Sequence, residues 1–245
     1  MHDPTRRDLL RDSVLLGAAV ASSSIFSVAE TTQASEPKPG KEPEVTATED
    51  LMREHGIIRR ALLVYAEVAP KLRQDAARLD ASAIRKTAQL FREFGQNYHE
   101  KLLEEQHIFP RIRKMGKTEL TRYVDILTAQ HQRGREITEY ILAVTNASRV
   151  AGANAEPLAR VFEGFARMYE NHAAREDTIL FPAWKTNFTD KQLDEIGDQF
   201  EDIEHKMFGK DGFEDAEKSI SGIETILGFS DLSQFTPPAP PQPQS

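Results

Sequence analysis

The chain has 245 residues, of which 31 are Lys or Arg and 39 are Asp or Glu, giving a formal net charge of −8. That acidic balance argues against a nucleic-acid binder. Hydrophobic residues make up 39% and charged residues 29%, an ordinary globular composition with room for one domain of moderate size plus appendages. There is no cysteine, which excludes disulfides, thiolate zinc sites, Cys-held iron–sulfur clusters, Cys nucleophiles and Cys lipidation. His, carboxylates and hydroxyls are left to carry any chemistry.

The N-terminal residues read Thr5-Arg6-Arg7-Asp8-Leu9-Leu10, then an apolar and small-residue stretch from Val14 to Ala29 ending Ser27-Val28-Ala29. This is the layout of an export signal. Paired arginines ahead of a mildly hydrophobic stretch resemble the bacterial twin-arginine signal, which serves proteins exported already folded. Residues 1–34 are therefore expected to hold the signal and the start of a linker, with Ala29 or Ala34 the last residue removed. The expected destination is the periplasm or another exported location. The apolar stretch is too short and too rich in Ser and Gly for a membrane span, so no membrane role is expected beyond the signal. Residues 35–48, rich in Glu, Pro, Lys and Thr, read as a disordered linker.

Between about Glu49 and Gly228, apolar residues recur at three- and four-residue spacing, the period of a helix. The first stretch runs from Leu51 through Ile57, Ile58, Leu62 and Val64 to Pro70. The second carries Ile84, Leu90, Phe91, Phe94, Leu102 and Ile108. Leu120, Val124, Leu127, Ile137 and Ile141 mark the third; Leu158, Val161, Phe165, Met168, Ile179 and Leu180 mark the fourth. Long helices with short connections predict an all-α, up-down antiparallel four-helix bundle over residues 49–186. A C-terminal helical pair over residues 187–229, about Asp190–Met207 and Phe213–Leu227, is predicted to pack on its outside. It is broken by Gly209-Lys-Asp-Gly212. Residues 230–245 read as a Pro-rich tail, whose stretch Thr236–Ser245 carries no core-forming residue.

The two halves of the bundle repeat. The first and third helices share His-x-x-x-Arg, at His55 with Arg59 and His131 with Arg135. The second and fourth end alike, as His99-Glu100…Glu104-Glu105…Ile108-Phe109-Pro110 and His172…Glu176-Asp177…Leu180-Phe181-Pro182. His55 and His99 are 44 positions apart, His131 and His172 are 41, so each half is a helical hairpin with one histidine per helix. Four His and two Glu can then converge in the core. His172 and Glu176, four apart, share a helix face. Imidazoles with bridging carboxylates suit iron or manganese pairs, and bundle cores are where such sites are built. His107 and His205 fall outside the pattern, His205 being placed to favour a helix C-terminus. Tyr98 and Tyr169 flank ligand positions with core packing as their default, and Arg59 and Arg135 read as solvated or ion-paired. No glycine-rich elbow, phosphate loop or His-Glu-x-x-His helix occurs, which speaks against a hydrolase.

From Leu51 to Ala183 the pattern resembles the hemerythrin-like HHE cation-binding family, whose members hold a non-haem di-iron centre in a four-helix bundle. Carried over residue by residue, the resemblance implies His55, His99, His131 and His172 as iron ligands and Glu104 and Glu176 as bridging carboxylates. It implies two iron ions, preferred over manganese or zinc. The implied partner is dioxygen, a related diatomic or peroxide. Two departures stand out. Oxygen-carrying members have a further histidine where this chain has Arg135, which implies a more open coordination sphere suited to sensing, iron handling or redox chemistry. The step from His99 to Glu104 is five residues, which in an α-helix turns Glu104 about 140° away from His99, where the other half turns about 40°. Glu100 then becomes an extra or substitute ligand. Whether the centre turns over as a ferroxidase or peroxidase, or the bundle is a zinc-bound or metal-free interaction module, stays open at this level.

Overall fold

The computed structural model describes residues 45–242, and among these it is all-helical, without strands. The expected signal, most of the expected linker and the last three residues of the tail lie outside the described residues. In chain order, α1 spans Ala47–Asp75, α2 Ala81–Leu90, and α2 runs directly into a π-helical segment, Phe91–Ile108, closed by the short α3, Phe109–Lys114. Next come α4, Thr118–Val144, and α5, Gly152–Arg175. A π turn, Glu176–Leu180, leads into α6, Phe181–Lys185. The chain ends with α7, Asp190–Phe208, and α8, Gly212–Leu227, followed by a 3-10 turn at Leu232–Phe235.

Helix starts follow their sequence. Thr46 caps α1 in a capping box with Glu49, whose carboxylate accepts the Thr46 N–H at 2.7 Å, and Thr189 and Gln192 repeat the arrangement for α7. Such caps stabilise a helix by about 1 kcal/mol each. Gly209 ends α7 in the left-handed region, φ 75°, which a side chain would resist. Helix α1 overruns the expected stop at Pro70 and reaches Asp75. An interior proline costs a helix about 3 kcal/mol, and the burial of Val68, Ala69 and Leu72 around it supplies the compensation.

One hydrophobic core joins every long element. Leu51, Ile58, Leu62, Tyr65 and Leu72 of α1 are buried in this core, where Tyr65 stacks on Phe162 of α5 at 4.5 Å and packs against Phe165. Burial of each such side chain is worth about 1.5–3 kcal/mol. The C-terminal pair joins this same core: Phe200 of α7 stacks on Trp184, and Phe213, Ala216, Ile220 and Ile223 of α8 are buried. Arg60 of α1 fastens α8 through Glu224 and Ser221. Residues 236–242 are exposed.

Candidate metal centre

The π segment answers the five-residue step. Pro110 has no N–H to give and its ring crowds the carbonyl four residues back; the ladder is shifted there, and the Phe109 N–H reaches the carbonyl of Glu104, five residues earlier. Residues five apart then share a face, much as residues four apart do in an α-helix. His99 and Glu104 accordingly approach to 3.3 Å. The same device recurs before Pro182, where the Phe181 N–H bonds the Glu176 carbonyl. Glu104 therefore faces the core without help from Glu100.

All seven residues singled out from the sequence are brought together and buried. The imidazole Nε2 atoms point inward: His55 lies 3.5 Å and His172 3.1 Å from Glu176 Oε2, His99 3.3 Å from Glu104 Oε1, and His131 3.2 Å from Glu104 Oε2. His131 and His172 face each other, Nε2 to Nε2, at 3.1 Å. Every Nδ1 points outward to a fixed acceptor. His55 bonds Asp177 at 2.6 Å, His99 bonds Glu54 at 2.6 Å, His131 bonds Glu105 at 2.9 Å, and His172 bonds Gln130 at 2.9 Å. With Nδ1 donating outward, each Nε2 can turn a lone pair to the centre, the tautomer a metal needs.

The partners obey the internal repeat. Glu54 and Gln130 directly precede His55 and His131, and each holds the other histidine of its own hairpin. Glu105 and Asp177 directly follow Glu104 and Glu176, and each holds a histidine of the opposite hairpin. Arg135 and Arg59 in turn bind Glu105 and Asp177. The phenylalanines of the two Phe-Pro pairs stack on those same rings, Phe109 on His131 at 5.5 Å and Phe181 on His55 at 5.4 Å. Each guanidinium thus reaches an inward-facing imidazole through a carboxylate, more than the plain ion pairing read from sequence. His107 packs edge-on against Phe200, away from the centre.

Burial alone would lower the His131 pKa, but Glu100, Glu104 and Glu105 raise it to about 10. Burial and then the charge on His131 push its neighbour His172 down to about 3. Burial opposes ionisation of Glu104 as well, yet His99 and His131 hold it well below the usual carboxylate range, while burial and Glu104 push Glu176 well above it. Four orphaned oxygens test the fit to a metal. Both oxygens of Glu104 and both of Glu176 are buried with no hydrogen-bond partner, as is His99 Nε2. Such atoms cost free energy unless a cation satisfies them. Two ligand groups can be drawn, His55 with His99 and Glu104, and His131 with His172, Glu176 and Glu104, so the donor set fits a metal and Glu104 belongs to both groups. Glu100 falls in a third group, with Glu105 and His131.

A buried cluster of imidazoles and carboxylates inside a helical bundle defines a metal-binding helical protein. The chain belongs to the hemerythrin HHE cation-binding family, whose model matches residues 46–184. It is 40% identical over 242 residues to uncharacterized proteins of Mycobacterium bovis and of two strains of Mycobacterium tuberculosis, covering 95% of this chain and 91% of each relative. No solved structure matches. No helix among the described residues is long and apolar enough to cross a membrane.

Proposed function

We propose that this protein holds two iron ions and binds or senses dioxygen or a related small ligand at them, within an up-down four-helix bundle over residues 49–186. The observation that carries the reading is the pairing of inward Nε2 with anchored Nδ1 at all four histidines, around two carboxylates whose oxygens have no other partner. His55 and His99 would hold one ion, His131 and His172 the other, with Glu104 and Glu176 bridging. A mixed imidazole and bridging-carboxylate set favours iron over zinc. Reduced iron supplies an electron-rich centre able to take up a small oxidant. The chain's own groups do the rest: Asp177, Glu54, Glu105 and Gln130 orient the rings, and Phe109 and Phe181 keep water off two of them. A cavity of about 10 Å3, enough for about one water, lies against His55, His99, His172 and Tyr169.

Elemental analysis of anaerobically purified protein is expected to give about two irons per chain, with new near-ultraviolet and visible bands on admitting air. Zinc, or no metal and no spectral change, would defeat the reading; sustained consumption of peroxide or Fe(II) would make the protein an enzyme. We further propose that residues 1–34 direct export by the twin-arginine route, ahead of a linker that ends before α1 begins at Ala47. Replacing Arg6 and Arg7 by Lys should leave the precursor in the cytoplasm, and unchanged export would refute the assignment.

A further inference from the structure

Glu100 is as buried as the bridging carboxylates but differs in one respect. Where both oxygens of Glu104 and Glu176 lack donors, both oxygens of Glu100 are held, Oε1 by the Tyr169 hydroxyl and Oε2 by Arg135 Nη2 at 3.4 Å. Each holder is itself fixed. Arg135 is anchored at 2.7 Å by Glu105. The Tyr169 ring is gripped between Phe91, Phe165 and His172. Its hydroxyl reaches Glu100 because residue 134 is glycine: a Cβ there would collide with the Tyr169 ring and hydroxyl. One stretch of α4 therefore supplies a ligand at His131, a notch at Gly134 and a guanidinium at Arg135. The carboxylate so restrained borders the small cavity, and one of its oxygens lies within 4.8 Å of ligand atoms of His131 and Glu105.

We propose that Tyr169 and Arg135 hold Glu100 back as a withheld ligand, so that one coordination position facing the cavity stays open to a small ligand. The inference rests on the iron-centre reading. Tyr169 is a positioning residue, acting through Glu100. Removing its hydroxyl leaves a buried carboxylate oxygen without a donor, so that Glu100 would be free to turn toward a bound ion and close the position.

The test uses full-length ferric protein and azide, a small anionic probe, with iron content measured alongside the azide-induced charge-transfer band. Tyr169→Phe should keep its iron and bind azide roughly tenfold or more weakly, with a shifted band. Tyr169→Phe/Glu100→Gln should recover near wild-type affinity, because an amide does not replace the carboxylate as a ligand. Gly134→Ala, which displaces the hydroxyl without deleting it, should weaken azide in the same way and be rescued by the same Glu100→Gln change. Unchanged azide binding in Tyr169→Phe with iron intact, or no recovery on adding Glu100→Gln, overturns this inference alone. A wild-type chain that holds no iron overturns it together with the function on which it rests.

Discussion

Glu104→Gln should empty both of the proposed iron positions at once while the helices stay in place. Glu104 directs one oxygen at His99 and the other at His131, and it belongs to both ligand groups, so its loss is felt on both sides of the centre. The amide keeps the shape and removes the charge and one acceptor oxygen. His55→Ala, by contrast, takes a donor from one group and should leave the His131, His172 and Glu176 side able to retain an ion. Elemental analysis should therefore show almost no iron in Glu104→Gln and about one ion per chain in His55→Ala, with unchanged far-ultraviolet circular dichroism in both. Full occupancy in Glu104→Gln would remove the bridging role. Changes at the outer partners are milder. Asp177→Asn and Glu105→Gln leave every ligand present but loosen one ring each, which typically costs 10- to 100-fold in metal affinity.

The buried His/Glu cluster was legible in the sequence because it is repeated: a His-x-x-x-Arg in each first helix and a His followed by Glu ahead of Phe-Pro in each second. What surrounds the ligands was not. Glu54 and Gln130 are sequence neighbours of His55 and His131, and adjacent residues on a helix point about 100° apart, so nothing in the pattern says that they reach the next helix's histidine. The repeat could have flagged Glu105 with Asp177 and Phe109 with Phe181 as matched pairs, although their cross-hairpin contacts depend on how the halves face each other. The five-residue step from His99 to Glu104 was misleading for a definite reason. A 3.6-residue period does not hold in a stretch that is π-helical, and the signals for that geometry, Pro110 and Pro182, read equally well as helix ends. Glu100 was singled out on the strength of that step. It does lie beside the centre, but with both oxygens engaged by Tyr169 and Arg135, a circumstance visible only once α4 and α5 are packed together.

Removing the metal should lower the melting temperature by roughly 10 °C, and by more at pH 8 than at pH 6. A ligand present at a thousandfold excess over its dissociation constant stabilises by about 4 kcal/mol, and for a chain of this size each kcal/mol is worth about 2–4 °C. The pH dependence comes from what replaces the metal. Without it, His131 keeps a proton between Glu104 and Glu105, its pKa raised from the ordinary 6.5 to about 10. A raised value stabilises fully below pH 6.5, where folded and unfolded chains are both protonated, and fades as pH climbs toward 10. Between pH 6 and 8 that loss is about 2 kcal/mol. His99, also raised, loses in the same direction. His172, pushed down to about 3, works oppositely: it destabilises the folded chain below pH 6.5, so its recovery by pH 8 offsets part of the loss. Glu104, held low, contributes above the ordinary carboxylate range and falls away only in acid, outside this interval. The metal-free protein is thus weaker at pH 8. The metal meanwhile binds more tightly there, because fewer protons compete for the same imidazoles. The two are one proton competition seen from either side, and it widens the gap. Calorimetric melting of chelator-treated and Fe(II)-loaded protein, kept anaerobic at the two pH values, measures it directly. A gap equal at both pH values, or larger at pH 6, would mean that protons and metal do not share these four nitrogens, and a gap that survives Glu104→Gln would place the stabilising ion somewhere else.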